Sequence, residues 1–363
     1  MILRDITLIN FKNHRELSLN FAAKSNAIVG RNGVGKTAIL DAIHYLCLCK
    51  SYFNPIDNQQ ICYNQDFFII NGKFNLSDNQ ESVSCSVKRN QKKIFKRNQK
   101  TYERLADHIG LFPLVVISPN DVNIILDGSD ERRRFIDNVI SQTDGEYLST
   151  IIEYSRYLLN RNAILKKIAE TKRYDPELLE LYDEKLIQLG ETIFNKRKDF
   201  IEEFIKIFSN YYKFLSNNEE PVSLSYSSQL FGIDSFKQLL NNSLEKDRLM
   251  ERTTCGIHKD DLVFSINEMP LKKFASQGQQ KTFLTALKLA QYTYLKQKKN
   301  ITPILLLDDI FDKLDESRIQ KMMQLVSKED FGQLFITDTE QHRILKVFHE
   351  INEPIETFNL DIY

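Results

Sequence analysis

The pattern of apolar and polar residues divides the chain into a part rich in strands, a long helical part and a return to strands. Apolar and polar residues alternate in ITLINF and ELSLNF near the amino terminus, and again in FFIINGKF, SVSCSVKR and KKIFKRNQ between residues 64 and 104. A period of two residues is typical of half-buried strands. The wholly apolar runs SNAIV, LVVI and ILLL predict strands that are buried on both faces.

From about residue 129 the apolar residues recur every three or four positions, which is the period of one helix face. The longest such segment starts at Pro176, where the missing N–H of proline costs nothing. As one helix of about 40 residues it would be roughly 60 Å long, the length of an arm or lid. We therefore predict an amino-terminal head part at residues 1–128, a helical arm at 129–250 and a carboxy-terminal head part at 251–363.

The segment GRNGVGKT, residues 30–37, fits the phosphate-binding loop pattern and lies between the predicted strand SNAIV and a predicted helix. Glycines let the backbone wrap around a phosphate, and the helix start directs free N–H groups at it. We predict that Lys36 reaches the β- and γ-phosphates of ATP and that Thr37 binds Mg²⁺. The alternative is a plain glycine turn, which the flanking elements disfavour. The predicted nucleotide-binding residues of this loop are Gly30, Arg31, Asn32, Gly33, Val34, Gly35, Lys36 and Thr37.

Two carboxylates end the apolar run ILLLDD, about 270 residues after the loop. We expect Asp308 to bind Mg²⁺ through water and Asp309 to polarise the attacking water, so that Lys36, Asp308 and Asp309 form the catalytic set. Such runs also end ordinary strands, so the prediction depends on the phosphate loop upstream.

A second helix start lies shortly before this run, in FASQGQQKTFLTALKLAQ. There Ser276 is predicted to be the N-cap of a helix from Gln279, and Gly278 to allow close approach of the backbone. We expect Ser276, Gly278 and Gln279 to contact the γ-phosphate held by another copy of the chain. The alternative is an ordinary capped helix.

Composition adds one candidate surface and excludes a general polycation, because the 363 residues contain 49 Lys plus Arg and 49 Asp plus Glu. Between 88 and 104, however, eight basic residues stand against one acid. The functional interpretation is contact with DNA phosphates, and the alternative is a solvated hairpin whose lysines protect a sheet edge. The candidate DNA-binding residues are Lys88, Arg89, Lys92, Lys93, Lys96 and Arg97.

Other features indicate a cytoplasmic protein with reduced thiols. The chain has no run of about 18 apolar residues, and its amino terminus has the pattern of a strand rather than of a signal peptide. Its five cysteines lack C-x-x-C spacing, so we interpret them as structural thiols rather than metal ligands.

Several phrases resemble the RecF family, bacterial ATPases related to the heads of Rad50 and SMC proteins. They are NFKNH, ISPND, RRRFID, NRNAILK, GIHKDDL, SQGQQK and LLLDDIFDKLDESR, and they extend from residue 1 to about 340. SQGQQK is similar to the ABC signature LSGGQ, and DKLDESR is similar to the D-loop. The resemblance implies an α/β fold: an ABC-type ATPase head, with a mixed β lobe and a parallel sheet carrying the phosphate loop, interrupted by a mainly helical second domain.

The resemblance also implies an activity. The protein would be a weak, DNA-stimulated ATPase that uses ATP and Mg²⁺, forms a homodimer on ATP and holds DNA at gaps and junctions of single and double strands. With RecO and RecR it would assist loading of RecA in DNA repair, replication and the SOS response. Two alternatives are a transporter-type ATPase subunit, which the helical arm and basic hairpin disfavour, and an SMC-related ATPase of a defence system, which the family phrases in the arm disfavour.

The chain departs from the patterns of the family and of ABC-type ATPases at four places. Lys259 replaces a usual arginine, an arginine around residues 50–53 is absent, and the glutamine expected near Asn120 is missing. Where transporters carry a switch histidine the chain has Thr337, Asp338 and Thr339. Because these assisting groups are not evident, we expect slow hydrolysis.

Overall fold

The structure, a computed structural model, describes residues 1–77, 79–173, 176–216, 221–233, 235–311, 316–327 and 331–362. Its strands are β1 (Ile2–Phe11), β2 (His14–Asn20), β3 (Ser25–Val29), β4 (Phe67–Leu76), β5 (Asn79–Lys88), β6 (Ile94–Arg97), β7 (Lys100–Thr101), β8 (Leu114–Ile117), β9 (Val222–Ser227), β10 (Asp261–Ile266), β11 (Met269–Pro270), β12 (Ile304–Leu307), β13 (Leu334–Asp338) and β14 (Glu356–Asn359). Its α-helices are α1 (Lys36–Leu48), α2 (Asn123–Leu126), α3 (Ser129–Thr143), α4 (Gly145–Thr171), α5 (Pro176–Leu215), α6 (Phe236–Met250), α7 (Leu271–Phe274), α8 (Gln277–Lys299), α9 (Glu316–Val326) and α10 (Gln341–Glu350).

The chain forms two compact units, and both are discontinuous in sequence. The first contains Met1–Val122, Tyr211–Asn217 and Gln277–Tyr363, and the second contains Asn123–Asn210 and Asn218–Ser276. These units differ from the division predicted above, because residues 251–276 group with the helical part rather than with the head. Among the described residues no helix is long and apolar enough to cross a membrane.

Two sheets build the first unit. One is antiparallel in the order β2-β1-β4-β5-β6-β7, and the other is parallel in the order β14-β3-β13-β12-β8. The runs SNAIV, LVVI and ILLL are β3, β8 and β12 of the parallel sheet, and all of their residues are buried. Parallel strands are covered on both faces, which explains why these three runs lack the alternation of the antiparallel strands.

Helix α1 and the inner faces of the two sheets share one hydrophobic core. Ile39, Ile43 and Leu46 of α1 are fully buried in it, as their spacing along one helix face predicted. Phe68 and Ile70 of β4 point into the same core, and the residues between and beside them are more exposed. The core therefore holds the helix that follows the phosphate loop between the parallel strands and the antiparallel sheet.

The second unit contains α2–α4, most of α5, α6, α7 and a small sheet of order β11-β10-β9. Helix α5 is one continuous helix of 40 residues, as the periodicity predicted. Leu186, Ile193 and Phe204 of its apolar stripe are fully buried. At Gly190 a side chain would meet the ring of Phe236 at 2.5 Å, so the glycine permits α6 to approach this helix.

Buried arginines connect the family phrases of the second unit. Arg197 of α5 pairs with Asp137 of RRRFID at 3.0 Å and with Asp260 of GIHKDDL at 2.9 Å. Arg161 of NRNAILK pairs with Asp247 at 2.6 Å, and both side chains are fully buried. A buried charge that loses its partner is strongly destabilising. These phrases therefore carry the ion pairs on which the packing of the helical unit depends.

Candidate nucleotide-binding site

The phosphate loop connects the end of β3 with the start of α1. Its three glycines have positive φ angles, +148° at Gly30, +83° at Gly33 and +107° at Gly35, which other residues rarely adopt. A side chain at Gly35 would also lie 2.3 Å from His14 Nε2. The loop conformation thus needs glycine for its backbone at three positions and for space at Gly35.

Lys36 is buried at the first position of α1. Its Nζ donates to the carbonyl oxygens of Gly30 at 2.8 Å and Arg31 at 3.1 Å, so the side chain crosses back over the loop that precedes it. This places the ammonium charge within the curve of the loop, beside the backbone that would surround a phosphate group.

Asp308 and Thr37 lie together although 271 residues separate them. Thr37 Oγ1 donates to Asp308 Oδ1 at 3.0 Å, and Thr337 Oγ1 donates to the same oxygen at 2.8 Å. Burial raises the pKa of Asp308, and the two threonine hydroxyls act in the opposite direction. A hydroxyl and a carboxylate oxygen side by side are the hard oxygen ligands that Mg²⁺ accepts.

The donor set for Mg²⁺ is small on the protein side. Within the described residues no group of three or more His, Cys, Asp or Glu side chains could hold a metal ion. Magnesium at nucleotide sites usually has one or two protein ligands and completes its shell with water and phosphate oxygens. The pair of Thr37 and Asp308 fits that arrangement.

Thr337 also connects the second aspartate to the site. The backbone N–H of Asp309 donates to Thr337 Oγ1 at 3.0 Å, and Asp309 has a φ of +44°. Thr337 therefore contacts both residues of the acidic pair. Sequence reasoning noted Thr337 only as an occupant of the position of the switch histidine, and missed this contact. The contact arises because β12 and β13 are neighbours in the parallel sheet, and no local sequence pattern indicates it.

The turn between β1 and β2, in the phrase NFKNH, lies against the phosphate loop. Asn13 Nδ2 donates to the Gly33 carbonyl at 3.1 Å, and His14 Nε2 is 3.1 Å from the Gly35 carbonyl oxygen. Burial lowers the pKa of His14. Lys12 pairs with Asp41 of α1 at 2.6 Å. Sequence reasoning used this phrase only for its resemblance and missed its position at the loop.

The carboxy-terminal segment contacts the loop at Arg31. Asp361 accepts hydrogen bonds from the backbone N–H of Arg31 at 3.2 Å and from Arg31 Nε at 3.2 Å. The bond from the Arg31 N–H holds the pKa of Asp361 below its usual range. Strand β14 pairs with β3 and so brings Asp361 to the loop. No sequence motif pointed to this residue.

A buried ion pair lies beside the position where a glutamine was expected. Asp121 pairs with Lys288 of α8 at 2.7 Å and accepts from the backbone N–H of Ser118 at 2.7 Å. Tyr52, in the segment that lacks the family arginine, donates to Asp121 and is 3.2 Å from Lys288. The cluster ties helix α8 to the segments that follow α1 and β8.

The signature segment begins differently from the prediction. Helix α8 starts at Gln277, so the predicted start at Gln279 is wrong by two residues. Ser276 immediately precedes the helix and is the last residue of the second unit, whereas Gly278 and Gln279 belong to the first. Arg318 of α9 donates to the Gly278 carbonyl at 3.3 Å. Residues 312–315 of the predicted D-loop lie outside the described residues.

The basic hairpin is formed by β5, β6 and β7, and its six candidate residues do not share one environment. Lys93 is only 13% exposed and pairs with Asp57 at 2.9 Å. It also donates to the Cys49 carbonyl at the end of α1 at 2.7 Å. Arg97 pairs with Glu81 at 2.8 Å. Lys88, Arg89, Lys92 and Lys96 are exposed.

Comparisons with known proteins agree with the fold. The family model "RecF/RecN/SMC N terminal domain" matches residues 2–357. The chain is 47% identical to the DNA replication and repair protein RecF of Flavobacterium johnsoniae, covering 99% of this chain and 100% of the relative. It is 46% identical to the RecF of Bacteroides thetaiotaomicron, covering 99% and 97%.

Solved structures give the same result. The structure titled recombination mediator protein RecF-ATP in the RecFOR pathway matches with a TM-score of 0.87 and 30% identity, over 94% of this chain and 92% of that one. The Smc head domain from Pyrococcus furiosus matches with a TM-score of 0.53 at 16% identity, over 96% and 91%, which supports the fold alone. The predicted ABC-type head is thereby confirmed, and the chain belongs to the RecF family of DNA replication and repair proteins.

Proposed function

We propose that this chain is an ATP-dependent, DNA-binding recombination mediator that dimerises on ATP and hydrolyses it slowly. The observation that carries the proposal is that Thr37 and Thr337 both donate to Asp308 beside the phosphate loop. The side chain of Lys36 is bonded to the backbone of the same loop. That set can bind a nucleoside triphosphate with its metal ion and can direct water at it. The functional division into head (1–128 and 251–363) and arm (129–250) belongs to the same proposal.

Each residue has a distinct part in the proposed reaction. Loop N–H groups and Lys36 would bind the phosphates, Thr37 and Asp308 would hold Mg²⁺, and Asp309 would accept a proton from the attacking water. When bound there, Mg²⁺ would supply positive charge against the phosphates. Thr337 fixes the carboxylate of Asp308 and the backbone of Asp309 through its two hydrogen bonds. ATP hydrolysis would make the dimer dissociate and release the DNA.

The partners follow from the family. We propose that the protein binds DNA at gaps and junctions in the cytoplasm, and that it acts with RecR and RecO in loading RecA during repair, replication and the SOS response. The mass of the particle in solution without ATP, with ATP and then with DNA tests the central claim. A mass that stays monomeric under all three conditions would contradict it, and co-purification of RecR separates it from a defence ATPase.

Ser276→Arg is expected to abolish ATP-dependent dimerisation while ATP binding by the monomer persists. The substitution puts bulk and a charge immediately before helix α8, at the end that we propose faces the γ-phosphate of the partner copy. Nucleotide titration and sedimentation of the same sample measure the two properties. Ser276→Thr, which keeps a capping hydroxyl, is the control. Parallel loss of binding and dimerisation would mean that Ser276 serves its own subunit or only caps its helix.

Replacing Lys88, Lys92 and Lys96 together with glutamine is expected to weaken DNA binding for all sequences. The dependence of log K on log salt should also become flatter, by about 0.9 for each DNA phosphate that the variant no longer neutralises. Titrations at several salt concentrations measure that slope. An unchanged slope would mean that these lysines do not contact DNA phosphates and instead protect a sheet edge.

Lys93→Gln is the matched control within the same hairpin. The ammonium of Lys93 forms an ion pair with Asp57 and donates to the Cys49 carbonyl at the end of α1. It is therefore not available to bind a DNA phosphate. Its replacement should leave the salt slope unchanged and lower the free energy of unfolding by about 1 kcal/mol, because a charged group at a helix end is removed.

A further inference from the structure

One end of the antiparallel sheet carries exposed rings among basic side chains. Phe67, the first residue of β4, is 38% exposed and lies directly opposite Lys88 of β5. Ile94 of β6 is 46% exposed and lies opposite Ser86, two residues before Lys88. Opposite residues and residues two apart share one face of a sheet. Phe67, Lys88 and Ile94 are therefore on the same outer face.

A second exposed ring, that of Tyr63, lies in the loop immediately before β4. Its side chain is 84% exposed, which is unusual for a tyrosine because a ring that size gains free energy from burial. The backbone of the loop is nevertheless fixed. Cys62 N–H donates to the Asn10 carbonyl at 2.8 Å, and Arg89 Nε donates to the Gln65 carbonyl at 3.1 Å. The ring is thus held out from an anchored loop that is bonded to a basic residue.

The charge of the residues around Tyr63 and Phe67 indicates which kind of ligand this surface binds. Lys88 lies opposite Phe67, and Arg89 bonds to the loop that carries Tyr63. Lys92 lies in the connection between β5 and β6, and all three basic residues are exposed. The acid Asp66 is also exposed, and its carbonyl accepts from the Arg89 N–H at 2.9 Å. A surface with flat aromatic faces and an excess of positive charge suits a ligand with flat bases and a phosphate backbone. Within a duplex the faces of the bases are covered by their neighbours, whereas unpaired bases are free to stack on such rings.

We propose that Tyr63 and Phe67 form a stacking surface for unpaired bases of DNA, with Lys88, Arg89 and Lys92 contacting the adjoining phosphates. The inference rests on the proposed DNA-binding function and adds to it a reason for preferring a junction over a blunt duplex. The phosphates supply affinity for any DNA, and the rings supply the additional affinity for a strand whose bases are free.

The test compares two DNAs on the full chain with ATP: a duplex with a single-stranded extension, and a blunt duplex of the same total charge. Tyr63→Ala and Phe67→Ala should each weaken binding to the extended DNA on the order of tenfold. Binding to the blunt duplex and the salt slope should not change, because no phosphate contact is removed. Tyr63→Phe keeps the ring and should bind as wild type.

Two further measurements make the result specific. A 2-aminopurine in the first unpaired position should be quenched on binding wild type and Tyr63→Phe, and not on binding Tyr63→Ala. Leu249→Ala removes a side chain that is also 84% exposed, from the second unit, and should change nothing. Thermal unfolding midpoints equal to wild type show that these surface changes leave the fold intact.

The possible failures are distinguishable. If wild type binds neither DNA, the proposed function itself fails. If wild type binds DNA and Tyr63→Ala and Phe67→Ala bind the extended DNA equally well, the stacking surface is wrong and these rings face something other than DNA. Equal losses on blunt and extended DNA, or a loss in Tyr63→Phe as large as in Tyr63→Ala, would also overturn stacking on unpaired bases.

Discussion

Lys36→Ala is expected to reduce ATP affinity by roughly a hundredfold or more while leaving the protein folded. The ammonium lies within the curve of the phosphate loop, bonded at present to the carbonyls of Gly30 and Arg31. Two charge-assisted hydrogen bonds to phosphate oxygens contribute about 1.5–3 kcal/mol each. Their loss corresponds to about two to four factors of ten in the dissociation constant. Calorimetric titration of ATP with Mg²⁺ measures the change directly.

The control for Lys36→Ala tests whether the loss of ATP affinity comes from the loop itself or from removing one positive charge from the protein. Lys73 is exposed on β4 and pairs with Asp5 at 3.5 Å, so Lys73→Ala removes the same charge from a residue outside the loop. It should bind ATP as wild type does. Micromolar affinity retained in a folded Lys36→Ala protein would mean that the loop does not bind phosphate as proposed.

Asp309→Asn is expected to give a dimer that forms on ATP as usual and then persists far longer than wild type. The substitution removes the charge that would accept the proton of the attacking water. Loss of a general base costs roughly 10²–10⁴ in rate. Asparagine tolerates the left-handed conformation that the φ of +44° requires, so the backbone bond to Thr337 should remain. Nucleotide binding and dimerisation should therefore be preserved.

The measurement is the lifetime of the dimer, free and on DNA, after excess ATP is removed. Asp308→Asn is the matched control, because Asp308 accepts from Thr37 Oγ1 and is proposed to hold Mg²⁺ rather than to act on the attacking water. Asp308→Asn should weaken the binding of ATP with Mg²⁺ and should not lengthen the lifetime of the dimer. If Asp309→Asn dissociates as fast as wild type, either Asp309 is not the base or release does not depend on hydrolysis.

The order of elements could be predicted from sequence because it depends on neighbours along the chain. Period-two alternation, apolar runs and the stripe of α5 each reflect the burial of one face or both faces of a local element. The phosphate loop was likewise recognisable, since its glycines, its lysine and the start of α1 all lie within eight consecutive residues. Helix α8 was predicted to start two residues late, an error of the usual size for a helix end.

The surroundings of the loop were decided only by tertiary structure. Asp361 reaches Arg31 across 330 residues, and Thr337 meets Asp308 because β12 and β13 are neighbours in a parallel sheet. Neither contact has a signal in local spacing.

In the basic hairpin, too, the contacts of charged side chains could not be predicted from sequence. Its sequence is nearly uniform in charge, yet the fold directs Lys93 to the end of α1 and leaves Lys92 in solvent. Local periodicity determines which face of an element is buried. Which distant backbone or carboxylate a charged side chain meets depends on how sheets and helices are ordered in space, because that order brings together groups that are hundreds of residues apart.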